Sequence, residues 1–218
     1  LSDQTSPQPP APTQWPCLPR SDCQMPAETP MLVVKVGGSL YDLPDLRATL
    51  NHWLQSLSHA QLILVPGGGR AADVVRELDQ CHSLGEEKAH WLALAAMSLK
   101  AHFLRTLIPC AELVAGVHQC QTCWREQRVP ILDAYRFALL DEGRPGFLPH
   151  SWDVTSDSIA ARVATVFGAT ELILLKSIEM PAGLSWVEAS QQGQVDRFFD
   201  RAAAGLTVKV INFRALPY

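Results

Sequence analysis

From residue 31 onward the chain alternates short, uninterrupted apolar runs with longer segments of helical period. Leu32-Val33-Val34-Lys35-Val36 is β-branched and ends at Gly37-Gly38, and Leu62-Ile63-Leu64-Val65 stops at Pro66 and three glycines. Leu113-Val114, Val129-Pro130-Ile131-Leu132, Leu172-Ile173-Leu174-Leu175 and residues 206–211 are the remaining strand candidates. Between the first two strands, Leu43, Leu46, Leu50, Trp53, Leu54 and Leu57 recur at helical spacing over 42–58. Residues 71–78, 83–108, 155–166 and 195–204 also read as helices. Ser83 and Glu86 have capping-box spacing, and Thr155 or Ser156 is placed to cap the fourth helix. Strands that lack polar alternation are buried on both faces. Their alternation with helices predicts an α/β fold, a three-layer αβα sandwich around a mainly parallel sheet.

Residues 1–30 break this pattern. They hold half of the chain's 16 prolines, with Ser, Thr, Gln and Ala between them. Proline removes amide donors and fixes φ, so a disordered, polyproline-like tail is expected there and one folded domain over 31–218. The 218 residues are 47% apolar and 18% charged, enough for a substantial core. A net charge of −4 with scattered Lys and Arg gives no basic face for nucleic acid. No apolar run approaches the roughly 20 residues of a membrane span, and residues 1–30 lack signal-peptide character. The expectation is a soluble, cytoplasmic protein with neither nucleic acid nor membrane as partner. Six cysteines in a chain of this length do not make a disulfide scaffold and read as reduced thiols. His118, Cys120 and Cys123 form an H-x-C-x-x-C cluster, but a structural zinc site needs four ligands and no second C-x-x-C exists.

The two glycine turns carry the chemistry. In a parallel sheet, ligands bind beyond the carboxyl ends of the strands. Glycine lets backbone amides approach a phosphate closely, and a following helix adds uncapped N–H groups. Lys35 lies two residues before Gly37-Gly38-Ser39, within reach of a phosphoryl group; Arg70 follows Gly67-Gly68-Gly69. Neither turn is a Walker A sequence or a G-x-G-x-x-G fingerprint.

Lys35-Val36-Gly37-Gly38-Ser39-Leu40, Val65-Pro66-Gly67-Gly68-Gly69 and Thr155-Ser156-Asp157-Ser158-Ile159-Ala160, in that order, resemble the amino acid kinase family. The stretch His150-Ser151-Trp152-Asp153-Val154-Thr155-Ser156-Asp157-Ser158 is similar to the archaeal-type branch that phosphorylates an aminomethylfuran methyl phosphate in methanofuran-type cofactor biosynthesis, part of one-carbon metabolism. The resemblance implies ATP and Mg²⁺ as cofactors, a small-molecule phosphate acceptor and a homo-oligomer, with the helix around Trp91 and Met97 as candidate interface. It implies that Lys35 neutralises charge on the transferring group and that Asp157 orients that lysine, and extends the Asp157 role to Mg²⁺. Gly37, Gly38 and Ser39 would contact ATP phosphates, and Gly67, Gly68 and Gly69 would hold the acceptor.

The pattern departs from the family on the nucleotide side. The strand ending at Leu175 runs into Lys176-Ser177-Ile178-Glu179-Met180-Pro181, without the family's acidic pair and glycine. No lysine stands on the late helix, where relatives place a second catalytic one; Arg197, Arg201 or an inward-turned Lys176 is the candidate substitute. Asp153 reads either as a partner for a substrate ammonium or as a carboxylate at a helix N-terminus. Arg70 reads as a bidentate phosphate ligand or as a solvated residue, and Asp73 as support for its own helix. The alternatives to this kinase are a kinase-fold binding protein without turnover and a kinase for a carboxylate or nucleoside monophosphate.

Overall fold

A computed structural model describes residues 29–181 and 183–216; the expected tail, up to residue 28, lies outside the described residues. The six strands are β1 (Met31–Val36), β2 (Gln61–Pro66), β3 (Ala111–Val114), β4 (Val129–Leu132), β5 (Glu171–Lys176) and β6 (Val208–Asn212). They form one sheet in the order β3-β4-β2-β1-β5-β6, with every pairing parallel. The helices are α1 (Leu46–Ser56), α2 (Arg70–His82), α3 (Glu86–Leu107), α4 (Val117–Arg125), α5 (Ala134–Asp141), α6 (Ser156–Phe167), α7 (Trp186–Gln191) and α8 (Phe199–Ala202).

Two apolar clusters lie on opposite faces of the sheet, as the two-residue period of a strand requires. Leu32, Val34 and Val36 of β1 pack with Leu46, Leu50 and Leu54 of α1 and with Leu104 of α3. Val33, Ile63, Val65, Leu172 and Leu174 pack on the other side with Ile159, Ala160 and Val163 of α6 and with α4, α5 and α8. β1 is buried along its whole length because it is central and covered twice.

Most expected elements form, with shifted ends. The helix expected over 42–58 starts at Leu46, and that expected over 195–204 shrinks to Phe199–Ala202. The capping box at Ser83 and Glu86 does not form. Ser83 adopts a left-handed conformation (φ 50°), Gly85 precedes the helix, and the Gly85 amide donates to Asp79 Oδ1 at 3.0 Å. A side chain from the preceding helix thus replaces the local cap. Thr155 is the N-cap residue of α6, as expected, although its own side chain does not cap. Three short helices, α4, α5 and α7, were not expected. Each is too short for a clear period: α4 and α5 are held by core residues Cys120, Cys123 and Phe137, and α7 by the Ser185–Glu188 capping box together with buried Ala189.

β1 and β5 are neighbours whose following connections leave in opposite directions, to β2 and to β6. The carboxyl ends of these two strands therefore open a crevice, the usual ligand position in a parallel sheet. The three motif segments meet there.

Candidate functional site

The two glycine loops cross each other above β1 and β2. The Gly37 amide donates to Leu175 O at 2.9 Å and the Gly67 amide to Val36 O at 2.8 Å, extending the sheet into the loops. A Cβ on Gly67 would fall 2.6 Å from Gly38 N, and one on Gly69 would fall 2.6 Å from Gly38 O. Neither separation is sterically accessible, so the backbones approach this closely only as glycine. Gly69 also has φ +52°. Among the described residues, the amides of Gly38, Ser39, Gly68 and Gly69 donate to no acceptor. Together with the start of α2 they supply free N–H groups for an anion. Ser39 Oγ donates to Ser177 Oγ at 2.8 Å, and Arg214 Nη2 donates to Ser39 O at 2.7 Å, so the end of the chain braces the first loop.

Beneath the loops lies a buried triad of charges. Lys35 on β1 and Lys176 on β5 share the strand parity of Val33, Leu172 and Leu174, so both face α6. Asp157, in the first turn of α6, meets them. Lys35 Nζ lies 2.8 Å from Asp157 Oδ1, and Lys176 Nζ donates to Asp157 Oδ2 at 2.6 Å and to Gln194 O at 2.7 Å. Burial pushes the Asp157 carboxyl up, but the ammonium groups of Lys35 and Lys176 outweigh it and hold it down at about 2. Burial is also the largest influence on Lys176. With Lys35 beside it, it brings that ammonium down to about 8 despite Asp157.

Asp196 holds α6 in place. Its Oδ2 accepts from the Thr155 amide (3.0 Å), Thr155 Oγ1 (2.9 Å) and the Ser158 amide (3.0 Å), and its Oδ1 accepts from Ser158 Oγ at 2.5 Å. A carboxylate 41 residues away in sequence thus does the work of an N-cap. Sequence reading missed it, because no local pattern marks a cap supplied from a distance.

A cavity of about 230 Å³ opens beside the glycine crossing. It is bounded by Gly38, Ser39, Gly68 and Gly69, by α2 and α3, and by the segment from Trp152 to Ser156. His90 of α3 lines it; burial and the neighbouring His150 hold its imidazole down to about 4, so it is neutral at pH 7.

The structure therefore brings Lys35, Asp157, Lys176, Gly37, Gly38, Ser39, Gly67, Gly68 and Gly69 together at one edge. Arg70 and Asp153 are exposed neighbours of lining residues and lie outside the lining. Asp153 is half exposed and its closest cation is Arg197, 3.6 Å away. Arg197 and Arg201 both point outward; of the three candidate substitutes for a second lysine, only Lys176 reaches Asp157. Cys120 and Cys123 are buried free thiols and His118 is exposed. Among the described residues, no group of three or more His, Cys, Asp or Glu side chains is placed to hold a metal ion.

Residues 30–179 match the amino acid kinase family. The chain belongs to that family. It is 25% identical over 183 residues to the [5-(aminomethyl)furan-3-yl]methyl phosphate kinase of Methanocaldococcus jannaschii, an alignment covering 84% of this chain and 74% of that protein. Among solved structures, the uridylate kinase of Archaeoglobus fulgidus superposes with a TM-score of 0.58 at 19% identity, covering 83% of this chain and 89% of that one. The UMP kinase of Ureaplasma parvum gives 0.57 at 14% identity, covering 84% and 90%. At these identities the superpositions establish the shared fold.

Amino acid kinase membership implies ATP and, with it, Mg²⁺, and the chain's own donor set can be compared with both. Four free amides at a crossing that admits no side chain suit phosphate oxygens. Among the described residues, the buried atoms Asp157 Oδ1, Gln194 Oε1 and Asn212 Oδ1 have no hydrogen-bond donor. Both oxygens of Asp157 already face ammonium groups. Asp157 Oδ1 is ion-paired with Lys35 but has no hydrogen-bond donor, so a magnesium ion would be held by phosphate oxygens and water with that oxygen as the candidate protein ligand.

Proposed function

We propose that this member of the amino acid kinase family transfers the γ-phosphoryl group of ATP to a small phosphate monoester of the aminomethylfuran methyl phosphate kind, serving methanofuran-type cofactor biosynthesis. The observation that carries the reading is the Lys35–Asp157–Lys176 triad set directly beneath the two glycine loops. Phosphoryl transfer needs positioning and charge neutralisation more than covalent catalysis. Lys35 and Lys176 bring two positive charges to one point, and Asp157 keeps their ammonium groups oriented. The amides of Gly38 and Ser39 receive the nucleotide phosphates, and those of Gly68 and Gly69 receive the acceptor. An acceptor phosphate oxygen forms the new P–O bond as the bond to ADP breaks. Bound Mg²⁺ would add charge neutralisation on the phosphates.

Lys176 answers the departure from the family pattern. Turned inward onto Asp157, it would do the work of the missing late lysine. Arg70 and Asp153 keep only rim positions in this reading, where they act on acceptor entry. A cytoplasmic location and a homo-oligomer belong to the same reading. Leu92, Leu99 and Phe103 stand exposed at helical spacing along α3 and would face a second copy of the chain.

The test is calorimetric titration with Mg²⁺ and a non-hydrolysable ATP analogue, Lys35→Ala alongside, followed by an ADP-release assay with candidate acceptors. Saturable binding that Lys35→Ala weakens, and turnover with the furan phosphate, are expected. Folded protein that binds neither the nucleotide alone nor the nucleotide with acceptor would overturn the kinase and leave the binding-protein alternative.

A further inference from the structure

The wall of the acceptor cavity opposite the glycine crossing is built by residues that no motif marks. Asp73, Arg76 and Asp79 lie at i, i+3 and i+6 on α2 and so share one face of that helix. Asp73 Oδ1 and Arg76 Nη1 pair at 2.9 Å, and both residues line the cavity. The Arg76 guanidinium lies 4.8 Å from the centre of the Trp152 ring. Trp152 Nε1 in turn donates to Asp79 Oδ2 at 2.8 Å, while Asp79 Oδ1 takes the Gly85 amide. Both oxygens of Asp79 are therefore used to hold the indole and the turn that leads into α3. An indole fixed by two residues of the helix that begins at the glycine loop is a built wall.

The rest of the lining divides by chemistry. Ala72, Leu94, Met97 and Ile159 make an apolar floor. Arg76 and the free amides of Gly68 and Gly69 attract an anion. Asp73 is the carboxylate of the lining. His90 is neutral and adds no charge at pH 7. At about 230 Å³ the cavity lies below the roughly 300–1,000 Å³ of sites for drug-sized ligands, so its occupant is small.

We infer that the acceptor is a small amphoteric ring compound whose phosphate is held by Arg76, whose ammonium group is held by Asp73 and whose ring lies against Trp152. This rests on the kinase reading for the identity of the site and goes further in naming what selects the acceptor. It moves recognition of the ammonium from Asp153, which is outside the lining, to Asp73. In the free protein the Asp73–Arg76 pair satisfies both charges, and the zwitterionic acceptor exchanges that pair for two new ones.

The experiment is calorimetry with three ligands: [5-(aminomethyl)furan-3-yl]methyl phosphate, the analogue with methyl in place of aminomethyl, and the dephosphorylated alcohol of the first. Wild-type protein is compared with Asp73→Asn, Arg76→Gln and Trp152→Phe, all checked for unchanged thermal unfolding. Asp73→Asn should weaken the amine-bearing phosphate about tenfold and should not weaken the methyl analogue, for which Arg76 is now free. Arg76→Gln should weaken both phosphates about tenfold and should not weaken the alcohol, whose ammonium no longer competes with Arg76 for Asp73. Trp152→Phe keeps a ring against the ligand and should retain binding of both phosphates. Equal loss for both phosphates on Asp73→Asn, or no loss, overturns the inference, as does wild-type protein that binds none of the three. Selective binding without ADP release in the presence of Mg²⁺ and ATP would leave the inference standing and remove the kinase reading.

Discussion

Asp157 is where the balance of charges is decided. It stands between two ammonium groups in a site from which water is nearly excluded. Removing one partner of such a cluster leaves uncompensated charge, at a cost of about 3–5 kcal/mol. Asp157→Asn should therefore lower stability by that order in urea unfolding and abolish turnover. The carboxyl is held down at about 2 against an ordinary 3.8. It thus contributes stability that is present above pH 3.8 and lost as pH falls toward 2, and Asn at this position should flatten that acid limb. Lys176 has the opposite sign. Its folded value of about 8 lies below the ordinary 10.5, so the unfolded chain binds more protons between those values and stability rises with pH across that window. Activity should move the other way. The kcat/KM profile of the free enzyme should fall above about pH 8 as Lys176 loses its charge. An alkaline limb that stays flat to pH 10 would remove Lys176 from the chemistry.

Among the elements, the crossing of the glycine loops and the start of α6 have to hold their geometry. Gly38→Ala places a methyl group against the backbone of Gly69, with no flexible side chain to give way. The expected outcome is a folded protein with separated loops, read as loss of nucleotide binding in calorimetry and a lower Tm. Asp196→Ala removes four hydrogen bonds at the N-terminus of α6. Loss of an N-cap costs about 1–2 kcal/mol. Because α6 carries Asp157, activity should drop by more than that stability loss explains, and Asp196→Asn, which keeps the acceptor oxygen, should restore part of it. Of these elements, β1, β2, β5 and α6 were legible in the sequence, because continuous apolar strands and a marked helical period survive any context. The α4, α5 and α7 helices were not: they are too short for a visible period, although Ser185 and Glu188 form a capping box at the start of α7 and Asp133 caps α5, local signals that sequence reading missed.

For the molecule as a whole, the order of the strands sets the position of the site, and α3 leaves an apolar face exposed, on which the proposed second copy would sit. Leu99 is 62% exposed on that face, with Leu92 and Phe103 beside it. Leu99→Glu should shift a dimeric or larger species to the monomer in size-exclusion chromatography with unchanged helicity; a wild-type chain that runs as a monomer at micromolar concentration would end that part of the proposal. No helix among the described residues is long and apolar enough to cross a membrane.

The sequence alone determined the α/β class, the central apolar strands and the two glycine turns, because local composition and spacing carry each of these; that Asp157 serves Lys35 was implied by the resemblance to the family, and the structure brings the two together. It left open which of the three candidate cations turns inward and which residues line the cavity. Both are matters of direction. Strand parity and the parallel register turn Lys176 toward α6, while the outward faces of the chain after β5 take Arg197 and Arg201 away. The geometry of α2 makes Asp73 and Arg76 part of the cavity lining and leaves Arg70 exposed outside it. Asp196 capping α6 and Asp79 holding Trp152 join residues 41 and 73 positions apart. Only the tertiary structure decides such pairings, since a side chain's partner depends on which elements the sheet topology makes neighbours.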